Sequence, residues 1–73
     1  MDKKAIGDKL RRLRGDKTLD EVARDLGVTP MAISYWERGI RMPSDPMKVK
    51  IAQYYGQTVE AIFLPLKYSI SLL

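Results

Sequence analysis

A thioether stands about one helical turn before a hydroxyl and a phenol, as Met31, Ser34 and Tyr35, within the segment GVTPMAISYWERG at residues 27–39. A helix that only closes a core carries one apolar stripe and fills its other positions with charge. These three lie off the stripe of Val28, Ile33 and Trp36, and none of them is charged. They offer an apolar polarisable surface, a hydroxyl that donates and accepts, and a ring with a polar tip, which is the chemistry of contact. Catalysis has little to work with: the chain holds no cysteine and no histidine. That removes thiolate nucleophiles, disulfides, Cys/His zinc sites and the usual proton shuttle. Without a nucleophile–base pair or a metal-ligand cluster, the expected function is non-enzymatic, with no cofactor and no metal.

The surrounding elements follow from caps and spacing. Thr29 caps a helix that Pro30 begins, Val28 staples onto Ile33, and Gly39 stops it after Arg38. Before it, TLDEVARDLG opens on Thr18 with Glu21 three positions later, a capping box, and Leu19, Val22, Ala23 and Leu26 share one face up to Gly27. Gly27-Val28-Thr29 cannot continue as one rod, so the two helices cross steeply. Ala23 suits that crossing, and Val22, Leu26, Val28, Ile33 and Trp36 fill the wedge of a helix-turn-helix unit. Ile6, Leu10 and Leu13 predict a first helix over about residues 3–14. Asp45 as cap and Pro46 as first residue predict a fourth helix, with Met47, Ile51 and Tyr55 on one face and Gly56 at its end. Thr58 opens a short fifth helix holding Val59, Ile62 and Phe63. The fold class expected is all-α, with five helices.

The last ten residues, LPLKYSISLL, change period. Leu64, Leu66, Tyr68, Ile70 and Leu72 alternate with Pro65, Lys67, Ser69 and Ser71, the pattern of a half-buried β-strand. A helical body offers no sheet edge, so the strand would pair with the same segment of a second chain in a two-fold homodimer. The alternatives are a tail folded over its own helices, or a dimer made through helix five. The division expected is a helix-turn-helix domain over residues 1–63 and a tail, the dimerisation strand, over residues 64–73.

At 73 residues the chain has room for one domain and for no small-molecule effector domain. The hydrophobic share of 45% and charged share of 30% are those of an ordered domain. No apolar run approaches the roughly 20 residues that span a bilayer, and MDKKAIGDKL lacks the apolar stretch of a signal peptide, so a cytoplasmic protein without a membrane partner is expected. A net charge of +4 and a pI near 9.6 permit nucleic-acid binding. The excess is thin, with ten basic residues against seven acidic ones in positions 1–41.

Leu19 through Trp36, with Ala23, Gly27, Val28 and Ile33 at their spacing, then ERG and Pro43, resembles the XRE family of phage-repressor and Cro-like DNA-binding domains. The resemblance covers about residues 5–63, from IGDKLRRLR to KIAQYYGQTVEAIF. It implies a lambda-repressor-like fold and a sequence-specific regulator of transcription, a phage or prophage repressor, bound as a dimer to double-stranded DNA at a palindromic operator. It also implies that the third helix enters the major groove, with Thr29, Pro30, Met31, Ser34 and Tyr35 towards the bases. Met31 would lie on a thymine methyl, Ser34 would bond base or phosphate, and Tyr35 would meet the groove wall. Set against these roles, Met31 would cover an edge of the core and Tyr35 would be an ordinary surface residue. Leu19 stands where the family often has a glutamine that holds a phosphate, so that anchoring falls to Lys17, Thr18 and backbone amides, with Arg11, Arg38 and Arg41 flanking the groove. Glu37 matches the structural partner of Arg14 in the family. The competing reading is an antitoxin-like or bridging module that uses the same fold to bind another protein.

Overall fold

The computed structural model describes residues 2–64. Within them the chain forms α1 (Lys3–Arg14), α2 (Leu19–Leu26), α3 (Pro30–Glu37), α4 (Asp45–Tyr54) and α5 (Val59–Phe63), and no strand. Each helix starts on a short oxygen-bearing side chain. Asp2, Thr18, Thr29, Ser44 and Thr58 each accept from a backbone amide in the turn that follows, meeting donors that have no partner inside the helix. At α2 the exchange is mutual: Glu21 N donates to Thr18 Oγ1 at 3.1 Å, and Thr18 N donates to Glu21 Oε1 at 3.2 Å.

Two boundaries differ from the sequence expectation. Helix α4 is capped by Ser44, and Asp45 is its first helical residue. The first intrahelical bond runs from Lys48 N to Ser44 O at 2.8 Å, and Ser44 Oγ accepts from Met47 N, so the helix starts one residue earlier than Asp45 as cap would place it. Helix α3 closes at Glu37, with Arg38 as its cap. Gly39 N turns back onto Trp36 O at 3.2 Å and Ile40 N onto Tyr35 O at 2.9 Å, which takes the chain out of the helix at that point.

All five helices feed one core. Ile6 and Leu10 come from α1, Val22, Ala23 and Leu26 from α2, Ile33 from α3, Ile51 and Ala52 from α4, and Ile62 and Phe63 from α5. Val28 and Trp36, expected inside the wedge, are partly buried and pack against this cluster from its edge. The connection between α2 and α3 is held by Val28 N donating to Ala23 O at 2.9 Å. Lys50 of α4 donates to Leu26 O at 2.8 Å, placing a cation on the carbonyl end of α2. Tyr54 OH donates to Asp25 Oδ2 at 2.6 Å and ties α4 to α2 a second time.

Gly7 sets how closely α1 approaches α3. A Cβ there would meet the Glu37 carbonyl and fall 2.8 Å from Trp36 O, so the two backbones touch where this residue has no side chain. Among the described residues no helix is long and apolar enough to cross a membrane.

Candidate nucleic-acid interface

Helix α3 presents its first turn outward. Thr29 and Pro30 are exposed, and Met31, at 56%, is the most exposed of the large apolar side chains among the described residues, ahead of Ile40, Leu64 and Val49. The Thr29 hydroxyl accepts from Ala32 N at 3.2 Å as the cap, which leaves its own proton to donate. One turn on, Ser34 and Tyr35 are half-buried. Thr29, Met31, Tyr35 and Arg41 line an open groove of about 400 Å³ between α3 and the start of α4. Met42, Pro43, Ser44 and Met47 form its other wall. Sequence reasoning missed that wall, because only the folding of the α3–α4 connection brings those residues beside the helix.

Four of the expected residues come together at the exit of α3. Arg38 Nε donates to Ser34 Oγ at 3.0 Å. The guanidinium carbons of Arg38 and Arg41 each stand 5.5 Å from the centre of the Tyr35 ring, within cation–π range. Arg41 reaches the ring because Gly39 takes a left-handed φ of 73°, after which Ile40 N and Arg41 N both donate to Tyr35 O, at 2.9 and 3.4 Å.

The remaining candidates are more dispersed. Lys17 and Thr18 are exposed before α2, but Thr18 is engaged in its capping box and Lys17 Nζ stands 5.9 Å from the Tyr54 ring centre. Arg11 is exposed on α1. Arg14 and Glu37 form a two-pronged pair, Nε to Oε2 at 2.7 Å and Nη2 to Oε1 at 3.0 Å, with side chains only 12% and 7% exposed. Arg14 Nη1 also donates to Lys17 O at 2.7 Å, so one guanidinium fixes α3 and the loop before α2 together. The bond to Glu37 holds the Arg14 pKa above its ordinary value against the opposing effect of burial. Burial, then the charge of Glu37, pushes Tyr55 up to about 12. The bond to Asp25 chiefly pushes Tyr54 up to about 12. Of the alternating tail positions, Leu64 is extended and 49% exposed; Leu66, Tyr68, Ile70 and Leu72 lie outside the described residues. Among the described residues no group of three or more carboxylates, cysteines or histidines could hold a metal ion.

Two short helices joined by a tight turn, the second with its first turn exposed, define a helix-turn-helix protein. A family model described as helix-turn-helix matches residues 9–62. The chain belongs to the XRE family of helix-turn-helix DNA-binding domains, and its function is in kind that of a DNA-binding transcription regulator. No curated protein and no solved structure shows a significant match to it.

Proposed function

We propose that the protein is a repressor which binds double-stranded DNA as a homodimer on a palindromic operator and acts in the cytoplasm by occupying a promoter. Helix α3 lies in the major groove. Thr29, Pro30 and Met31 face base edges, with Met31 on a thymine methyl, while Ser34 and Tyr35 lie further along the groove. Lys17, Thr18, Arg11, Arg38 and Arg41 serve the phosphates. The observation that carries this reading is the exposure of Met31 on the first turn of α3, beside arginines gathered at the same helix's exit. No bidentate arginine, asparagine or glutamine stands among the base-facing positions, so direct readout is modest and DNA shape adds to it. Residues 1–63 make the DNA-binding domain. Residues 64–73 hold the two chains together, which sets the recognition helices about 34–36 Å apart on successive major grooves.

Selecting bound duplexes from a random pool, then titrating the winner with salt, tests the proposal. A palindromic consensus and a steep loss of affinity with salt are expected. A weak, sequence-indifferent response would overturn it and favour a module that binds another protein through the same fold.

A further inference from the structure

Tyr35 is tied to its own neighbours on the chain. Its backbone oxygen accepts from Ile40 N and Arg41 N, and its ring stands 5.5 Å from both the Arg38 and the Arg41 guanidinium carbons. Arg38 is held a second time by Ser34 Oγ at 3.0 Å. Among the described residues neither arginine has a carboxylate partner, the ion pairs there being Lys4–Asp8, Arg14–Glu37 and Lys48–Asp45. Two like charges gathered on one ring repel each other, and the ring's negative face offsets only part of that repulsion. An anion between or beside them removes the rest. Guanidinium forks match the oxygens of a phosphate diester, and two long side chains ordered in advance lose less freedom when they bind it.

We infer that Tyr35 is a positioning residue, whose ring gathers Arg38 and Arg41 into a single clamp for the DNA phosphate backbone, and that it does not read bases. The inference rests on the DNA-binding reading above and assigns the part that one residue plays in it. Ser34 belongs to the same device, since its hydroxyl holds Arg38. The ring is what matters, and the phenol oxygen is dispensable.

The test uses the full chain and a random-sequence duplex, on which a base reader contributes nothing and a phosphate clamp contributes fully. Affinity is measured across a salt series, with a thermal melt on each variant. Replacing both arginines, R38Q with R41Q, flattens the slope of log affinity against log salt by about two. Tyr35→Leu moves the slope towards that of the double variant, Tyr35→Phe leaves it at the wild-type value, and Tyr35→Leu added to the double variant changes nothing further. Tyr35→Gln, which is longer and polar, provides the ringless comparison if Tyr35→Leu melts early. Wild-type slope and affinity in the ringless variants, or a loss confined to a selected operator, overturns the clamp alone. A wild-type chain that binds no random duplex at low salt overturns the clamp together with the DNA-binding reading.

Discussion

Glu37 is a carboxylate that invites a catalytic guess, but the family resemblance reads it as the structural partner of Arg14, and the two side chains are paired in the fold. Glu37 is nearly buried, meets the Arg14 guanidinium through two hydrogen bonds, and stands at the end of α3. Removing one partner leaves the other charge in a poorly solvated place. Glu37→Ala should therefore cost about 3 kcal/mol or more, which approaches the whole stability that so small a core supplies. Urea unfolding should find the variant largely unfolded, and Arg14→Met combined with Glu37→Leu should recover most of the loss, because an apolar pair leaves no stranded charge. A second residue-scale expectation concerns Tyr54. Its ordinary pKa is 10.0 and the folded state raises it to about 12. The folded chain keeps a proton that the unfolded chain sheds, so the contribution is whole below pH about 10 and is lost as pH rises to about 12. Unfolding free energy should fall across that window, and Tyr54→Phe should make the fall shallower; an unchanged alkaline profile in the variant would show that the bond to Asp25 does not matter for stability.

The elements are joined by backbone proximity as much as by side chains. At Gly7 the α1 backbone lies against the carbonyls of Trp36 and Glu37, and neither can yield without moving α3. Gly7→Ala should destabilise by about 1–3 kcal/mol through overpacking. Because the displaced element is α3, which the proposed function puts in the major groove, DNA affinity should fall further than the melting temperature alone accounts for. Gly56→Ala is the control. Gly56, unlike the helical Gly7, has a left-handed φ, 67°, and a Cβ there would meet nothing within 4 Å. That variant should show only the strain of a left-handed residue, about 1–2 kcal/mol, with DNA affinity intact once it is folded. Comparing thermal melts and duplex binding for the two variants separates a helix contact from a turn preference.

For the whole molecule the open element is the dimer. The proposal that residues 64–73 pair two chains predicts that deleting residues 65–73 gives a monomer by sedimentation, with the helical circular dichroism of the intact protein. Affinity for a palindromic duplex should then fall by a hundredfold or so, the scale of the avidity lost when two binding units are uncoupled, while affinity for a half-site stays the same. A truncated protein that still sediments as a dimer would instead place the contact on α5 or elsewhere on the helical body. The clamp at Tyr35 and the pairing of chains act at different distances, so a tail deletion should leave the salt response of half-site binding untouched.

Much of the molecule was legible because its determinants are local. Thr18, Glu21, Thr29 and Thr58 fix helix starts through bonds to amides three positions away, Pro30 fits a first helical position that needs no amide hydrogen, and glycines mark the ends of the first four helices, so five helices and the turn between α2 and α3 follow from neighbours in the chain. Only α4 began a residue early, where Ser44 and Asp45 competed for the cap. The candidate contacts on α3 were legible for the same reason, since off-stripe positions on one helix need only its period. What the sequence could not determine depends on separations that no local rule spans. The contact of Gly7 with the α3 backbone, the grip of Lys50 on the end of α2, the bond from Tyr54 to Asp25 and the far wall of the groove each join residues distant in the chain. Tyr35 stands between the two cases: its place off the apolar stripe marked it for contact and Gly39 marked the stop of its helix, but only the folded turn, with Ile40 N and Arg41 N both donating to Tyr35 O, decided that Arg41 joins Arg38 at its ring.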